Sequence, residues 1–186
     1  MTNRRLPGVD GIWVVIGLDA VVFLLLFASF QNERRAAPAL FEVSRRTLNK
    51  DLGGADTLIL LTSSWLVALA IQAVRRDRTD RLPQFLFAAA CTGTLFVASK
   101  TVEYIEKLAS GTTPATNTFY SWYFLLTGVH LVHVLAGICA LGYVWKRARI
   151  GSYTSERYLV LECVALFWHL VDLLWIVLFP LLYLQR

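Results

Sequence analysis

Eight ionisable side chains in the long apolar runs of this sequence are candidates for a role in the membrane. They are Asp19, Lys100, Glu103, His130, His133, Glu162, His169 and Asp172. A charged group in the bilayer costs about 3 kcal/mol or more unless it is paired or faces the interior of a helix bundle. Side chains of these types can join helices by hydrogen bonds, conduct protons, or bind a metal or haem. The sequence therefore predicts polar sites that face protein rather than lipid. The spacing of the residues helps to distinguish among these three roles.

The last apolar run carries three of these residues on one helical stripe. His169 and Asp172 follow Glu162 by seven and ten residues, which places all three on the same side of an α-helix. His130 and His133 are one turn apart in the preceding run. We expect these two imidazoles to meet the stripe by hydrogen bonds and so to join two helices.

The third apolar run carries a lysine and a glutamate one turn apart. Lys100 and Glu103 can form an i, i+3 pair, and Lys107 can pair with Glu103 at i, i+4. We also expect Glu103 to approach the histidines of the next helix.

Two alternatives assign these residues to chemistry. A small di-histidine membrane cytochrome would use His133 and His169 as axial haem ligands. A proton-coupled transporter would use staggered carboxylates such as Asp19, Glu103 and Asp172, but the broken helix or inverted repeat typical of transporters is not visible. A dimetal site needs about four carboxylates in Glu-x-x-His pairs, whereas the order here is His-x-x-Asp, found once. Hydrogen bonding between helices is therefore favoured over a cofactor or metal site.

The composition identifies the elements that must position these residues. Of the 186 residues, 56% are hydrophobic and 17% are charged, whereas soluble domains carry roughly a quarter charged residues. Five apolar runs, at 12–30, 57–74, 84–108, 119–145 and 158–184, are each about long enough to cross the bilayer. We predict an all-α, five-helix transmembrane bundle that forms one domain over residues 1–186, with a surface helix or disorder between the first two spans.

The basic residues set the predicted topology. The net charge of +5 resides mainly in the loops, so it does not indicate a nucleic-acid partner. Ten Lys and Arg lie on the side of the N-terminus and seven on the other side, and the clusters on the first side abut helix ends. This bias predicts a cytoplasmic N-terminus and a periplasmic C-terminus.

The aromatic residues are expected in two settings. Trp122, Tyr123 and Tyr183 lie near predicted helix ends and are expected in the interfacial aromatic belt. Trp168 and Trp175 are seven residues apart, and we expect them to pack between helices.

Two motifs resemble the subunit III family of haem–copper oxidases. The family pattern T-G-x-H-G-x-H-V-x-x-G is matched by Thr127, Gly128, His130, His133, Val134 and Gly137, with Leu131 in place of the second glycine. The pattern W-H-F-x-D-x-x-W-x-x-x-F is matched by Trp168, His169, Asp172, Trp175 and Phe179, with Leu170 in place of the phenylalanine.

Further positions extend the resemblance from Gly11 to Leu184. Glu103 stands where the family has a Glu-Tyr pair, and Lys100 replaces the usual glutamine or acid before it. Asp19 matches a buried family carboxylate. The chain is similar to the short, five-helix form of the family, and its opening, residues 6–14, looks most like the branch associated with nitric oxide reductases.

The resemblance implies a supporting role. Such a subunit packs beside the catalytic subunit of a cytochrome c oxidase, quinol oxidase or nitric oxide reductase in the bacterial cytoplasmic membrane. It stabilises that subunit and supports turnover or proton uptake. The resemblance implies no catalytic residue, haem, copper or other metal in this chain. Its candidate non-protein partners are membrane lipids, including a bound phospholipid.

Overall fold

The computed structural model describes residues 8–155 and 157–185. The helices are α1 (Asp10–Ala36), α2 (Pro38–Arg45), α3 (Lys50–Arg75), α4 (Leu82–Ala109), α5 (Thr118–Arg149) and α6 (Leu159–Phe179), and a π-helical turn follows at Pro180–Leu184. Within the described ranges, five helices are long and apolar enough to cross a membrane, which confirms the predicted fold class. The short α2 confirms the surface helix expected between the first two spans.

Side-chain caps and prolines explain where several helices begin. The Asn49 side chain accepts hydrogen bonds from two backbone N–H groups at the start of α3, and Asn117 accepts one from Tyr120 at the start of α5. Because of the Asn49 cap, α3 begins seven residues before the predicted span, at Lys50 rather than at residue 57. Pro180 cannot donate a backbone hydrogen bond, and the last span changes there from α-helix to π-helical turn.

Helices α3 to α6 form a four-helix bundle, and α1 packs on its outside against α5 and α6. Successive spans run in opposite directions. We call the end of the bundle where α1 begins the N-terminal face, and the end where α1 and the π-turn finish the C-terminal face. Of the large apolar side chains of α1, Phe23 and Phe30 are buried, whereas residues such as Leu18 and Leu24 are exposed. Helix α1 is therefore an accessory to the bundle.

Tryptophan side chains fill the centre of the bundle, as expected. Trp168 and Trp175 are both buried. A Cβ atom added at Gly137 would lie 2.6 Å from the Trp168 ring, and one at Gly93 would lie 2.7 Å from it. Glycines on α4 and α5 thus form the slot that lets this indole of α6 enter, as small residues do in membrane helix packing.

The belt prediction is wrong for two tyrosines. Tyr123 and Tyr183 are completely buried, and their rings lie 6.5 Å apart inside the C-terminal half of the bundle. The π-turn is the structural cause for Tyr183, because it is buried there among α3, α4 and α5 rather than at the helix surface.

Candidate functional site

The main polar site is a dry group of four side chains, Asp56, Lys100, Glu103 and Tyr183, which we call the buried ion cluster. The Lys100 Nζ atom lies 2.6 Å from a Glu103 oxygen and 2.9 Å from a carboxylate oxygen of Asp56. Lys100 also donates a hydrogen bond to the Tyr183 hydroxyl at 3.1 Å, and that hydroxyl donates to Glu103 at 3.0 Å. The Lys100 side chain is 2% exposed and that of Asp56 is 0% exposed. The cluster therefore joins α3, α4 and the π-turn without access to water.

Aromatic rings position the lysine of this cluster. The Lys100 ammonium lies 4.6 Å from the centre of the Trp175 ring, a cation–π distance. Trp175 is itself held by a hydrogen bond of 3.0 Å from its indole N–H to the Thr57 hydroxyl, one residue after Asp56. Lys100 is thus held by an aromatic ring as well as by its ion pairs.

The electrostatics of the cluster are those of a structural ion pair. One ammonium faces two carboxylates, and neither Asp56 oxygen has a hydrogen-bond partner within the described ranges, so Asp56 is held by its ion pair with Lys100. Buried charges of this kind are tolerated because they are paired, and removing one partner leaves an uncompensated buried charge. The predicted Lys100–Glu103 pair is confirmed. The Lys107–Glu103 pair is not found: the Lys107 ammonium lies over the rings of Tyr120 and Tyr123 instead.

Asp56 and Tyr183 were not singled out from the sequence as site residues. Asp56 lies just before the apolar run that begins at residue 57, so it looked like part of a loop. A signal was present, however, in the spacing of the buried face of α3. Gly53, Asp56, Leu60 and Ser63 follow one another at three or four residues, which is the period of one helix face.

A second polar site joins α1 to α5. The His133 Nε2 atom lies 3.5 Å from an Asp19 oxygen, and His133 Nδ1 donates to the Val129 carbonyl at 2.8 Å. The two side chains are 24% and 21% exposed, so the pair is open to the outside of the bundle.

A third polar site joins α3 to α6. The Ser64 hydroxyl lies 2.6 Å from His169 Nδ1 at hydrogen-bonding distance. The Asp172 carboxyl lies beside the same serine, and one of its oxygens has no hydrogen-bond partner among the residues described. Ser64, which sequence reasoning missed, therefore lies against two of the three residues of the predicted stripe, His169 and Asp172.

The other two predicted residues lie apart from these sites. Glu162 is at the N-terminal face, where it forms a 2.7 Å ion pair with Arg75 and accepts a 2.9 Å hydrogen bond from the Gly8 N–H. His130 is fully buried, with its ring 5.2 Å from Trp175 and 5.7 Å from Phe96. Neither ring nitrogen of His130 has a hydrogen-bond partner in the described ranges.

The expected histidine contacts are thus wrong. His130 packs among aromatic rings, and His133 turns outward to α1, so neither binds the stripe or Glu103. The cause is the breadth of the intervening Trp168 and Trp175 side chains, which occupy the centre between α4, α5 and α6. The three imidazoles of the sequence, those of His130, His133 and His169, face aromatic rings, α1 and α3 respectively. Among the described residues, no group of three or more His, Cys, Asp or Glu side chains could hold a metal ion.

Comparisons with known proteins agree with the motif analysis. A sequence model described as Cytochrome c oxidase subunit III matches residues 47–185. The chain is 32% identical over 175 residues to a cytochrome c oxidase subunit 3 of Synechocystis sp., covering 94% of this chain and 74% of the relative. It is 26% identical to a probable cytochrome c oxidase subunit 3 of Nocardia farcinica, with 97% and 90% coverage. It is 27% identical to a cytochrome bo(3) ubiquinol oxidase subunit 3 of Pseudomonas aeruginosa, with 95% and 84% coverage.

Proposed function

Since this chain belongs to the cytochrome c oxidase subunit III family, we propose that it is a non-catalytic subunit of a bacterial haem–copper respiratory complex. It stabilises the catalytic subunit and supports its turnover or proton uptake. The observation that carries the proposal is the use of the ionisable residues. The buried ion cluster, the Ser64–His169 contact and the Asp19–His133 pair all join helices.

The relatives support an oxygen-reducing complex. Their names specify a cytochrome c oxidase and a ubiquinol oxidase, so cytochrome c or quinol is the proposed electron donor of the complex. The haems and copper belong to the catalytic partner in this proposal. A nitric oxide reductase as the partner is the second candidate, favoured by the resemblance of the opening of the chain, which lies partly outside the described residues.

The proposed location is the bacterial cytoplasmic membrane, with the N-terminus in the cytoplasm and the C-terminus in the periplasm. The bias of basic residues supports this orientation. Phosphatase fusions test it: a fusion after residue 186 should be active, and one between Arg75 and Arg81 inactive. The reverse pattern would contradict the orientation.

Co-purification tests the proposed function. The tagged chain, extracted gently from its own membranes, should bring with it a haem-containing subunit whose preparation consumes oxygen. Consumption of nitric oxide instead would favour the second candidate. The chain purified alone should be colourless. A Soret band near one haem per chain, lost in His169→Ala, would replace the proposal with the di-histidine cytochrome.

A second measurement separates support from catalysis. The variant Asp172→Ala, purified in the assembled complex, should have the wild-type haem spectrum and the wild-type initial rate. Loss of the initial rate in a fully assembled, spectrally normal complex would show that this chain takes part in the chemistry.

A further inference from the structure

A groove of about 290 Å³ lies between α3 and α6 and opens at the N-terminal face. We call it the α3–α6 groove. Each wall is a stripe at the i, i+3, i+4 and i+7 positions of one helix, from Ala68 to Arg75 on α3 and from Glu162 to His169 on α6. The groove is therefore the seam between two facing helix stripes, and it extends over about two turns of each helix.

The groove leads from an ion pair at its mouth to a histidine at its inner end. Arg75 and Glu162 form the 2.7 Å pair at the mouth. His169 lies seven residues beyond Glu162, so it is about 10 Å deeper along α6. Ala68 on the opposite wall is seven residues from Arg75 and lies at a similar depth. The inner end of the groove is therefore within the hydrocarbon layer, whose thickness is about 30 Å.

Small side chains leave the space between the two walls open. Ala68 and Ala165 contribute only methyl groups to the groove, one from each helix. The volume of the groove is enough for roughly ten water molecules at about 30 Å³ each. A chain of water molecules could thus extend from the mouth to His169.

Polar groups at the inner end favour water over hydrocarbon as the occupant. The Ser64 hydroxyl contacts Nδ1 of His169, so Nε2 is the ring nitrogen left for the groove. Asp172, one turn deeper, is 6% exposed, and one of its oxygens has no hydrogen-bond partner among the described residues. A hydrocarbon chain in the groove would leave Nε2 without a hydrogen bond, which is costly. Ionisable side chains within membrane spans typically face protein or a water-filled cavity.

We propose that the α3–α6 groove holds water continuous with the N-terminal face, and that His169 exchanges protons with this water. The exchange takes place at Nε2, where the imidazole takes a proton from water and returns it by the reverse step. The charged groups of the groove itself are Arg75 and Glu162, and they bind each other at the mouth. The Ser64–His169 contact closes the inner end, so the exchange is with one face of the membrane.

Cysteine modification tests for water in the groove. In a chain with Cys91, Cys139 and Cys163 replaced by alanine, Ala68→Cys places a thiol on the groove wall at the depth of His169. The reactive form is the thiolate, which needs water to form. A charged, membrane-impermeant methanethiosulfonate should therefore modify Ala68→Cys in the complex in membrane vesicles. The reaction should occur from the same side as that of Arg78→Cys, which lies in the exposed α3–α4 turn.

The native Cys91 is the matched control. It lies nine residues after Leu82, where α4 begins at the same face, and it is exposed on the outside of the bundle. With the other two cysteines replaced, it should react at least about tenfold more slowly than Ala68→Cys, because no water-filled groove reaches it. Ile71→Trp fills the groove and should slow Ala68→Cys to the rate of Cys91. The unfolding temperature establishes that each variant is folded.

Deuterium exchange at the imidazole C2 position tests the proton exchange. This hydrogen exchanges where the ring contacts water and takes up a proton, and mass spectrometry of peptides from the complex measures it. His130, which is fully buried, is the native control. His169 should exchange at least about tenfold faster than His130, and Ile71→Trp should remove the difference.

Two results would overturn the proposal. Equal modification rates of Ala68→Cys and Cys91 would mean that lipid or a partner subunit, rather than water, occupies the groove. Modification of Ala68→Cys without faster exchange at His169 would mean that the water does not exchange protons with the histidine. Neither rate depends on which haem-containing subunit co-purifies with the chain, so the groove can fail while the proposed function stands.

Discussion

The buried ion cluster and the Asp19–His133 pair both place charged groups among apolar helices, but they differ in access and in spacing. In the cluster, Lys100 has oxygen atoms of Glu103 and Asp56 within 3 Å and is sealed from the surface. In the pair, one contact of 3.5 Å joins two side chains that are each more than a fifth exposed. The cluster is a sealed link with several contacts, and the pair is a single, longer and partly exposed contact.

The two regions also differ in the helices that they join. The cluster lies within the α3–α6 bundle, where every contributing element is packed on several sides. The pair connects the bundle to α1, whose outer face carries exposed apolar residues such as Leu18 and Leu25. The buried charges that bear on stability therefore lie in the bundle, whereas the Asp19–His133 pair lies at its outside. Substitutions in the two regions should therefore affect different properties.

Lys100→Met should have the largest effect on stability. It removes the ammonium and leaves two buried carboxylates facing each other, which typically costs about 3–5 kcal/mol. We expect a large fall in the thermal unfolding temperature of the purified complex, or failure of the chain to accumulate. Lys146→Met, at an exposed position near the end of α5, is the matched control and should be close to neutral.

Removal of the remaining charges sharpens this test. A triple variant that adds Asp56→Asn and Glu103→Gln to Lys100→Met leaves no buried charge in the cluster, so it should regain part of the lost stability. If Lys100→Met alone were as stable as the wild type, the buried ion cluster would not stabilise the contact of α3, α4 and the π-turn.

Ser64→Ala should have an intermediate effect. The change leaves His169 Nδ1 without its 2.6 Å partner at a partly buried position, where the cost should approach the lower end of the roughly 1–3 kcal/mol of a fully buried unsatisfied group. The unfolding temperature of the complex measures the loss. Thr62→Ala on the same helix removes an exposed hydroxyl that bonds only its own helix, to the Leu58 carbonyl, and should cost little. Equal falls in the unfolding temperature of the two variants would mean that the Ser64–His169 contact does not stabilise the chain more than a hydrogen bond within one helix.

Much of the fold could be predicted because hydropathy and length identify a transmembrane helix almost directly. All five spans and the surface helix α2 were predicted. The errors occur where a boundary or a tertiary contact decides the outcome. Asp56 was missed because the Asn49 cap extends α3 beyond its apolar run, and Tyr183 was misplaced because the π-turn after Pro180 changes the direction of its side chain.

The pairing of the site residues could be predicted only where it is local. Lys100 and Glu103 are one turn apart on one helix, so their contact follows from spacing. The partners of His130 and His133 depend on which helices meet and on what lies between them. The indole of Trp168 lies between these helices, in a slot formed by glycines of α4 and α5. The spacing of residues in the sequence does not reveal this slot.

Asp19→Ala should affect stability less than either change in the bundle. Its contact with His133 is long and partly exposed, so we expect a loss below about 1 kcal/mol, as for exposed ion pairs. Assembly and the haem spectrum of the complex should remain normal. Under our proposal, the variant should instead lose activity sooner during sustained turnover, because a carboxylate near the outside of the bundle is absent.

The conservative variant Asp19→Asn tests whether the charge of the carboxylate, rather than the polarity of the side chain, supports turnover. It retains a polar side chain of similar size but cannot hold the carboxylate charge. We expect it to share the shortened activity of Asp19→Ala. If both variants stayed active for as long as the wild type, the Asp19–His133 pair would have no role in sustained turnover.

The smallest expected effect concerns the pH dependence contributed by Glu42, which links the surface to the buried ion cluster. Glu42 binds Arg45, and Arg45 binds the carbonyl of Tyr183, a member of the cluster. Hydrogen bonds from Arg45 and Arg46 lower the pKa of Glu42 from 4.5 to about 2 in the folded chain. Because the folded pKa lies below the unfolded one, the stabilisation is complete above about pH 4.5 and declines as the pH falls towards 2.

Glu42→Gln should therefore lower the unfolding temperature slightly at pH 6, and its difference from the wild type should shrink between pH 4.5 and pH 2. Glu33→Gln, which removes an exposed carboxylate near the end of α1, is the matched control. A constant gap across this pH range would mean that the carboxylate charge does not stabilise Arg45, and the surface would then have no electrostatic link to the cluster.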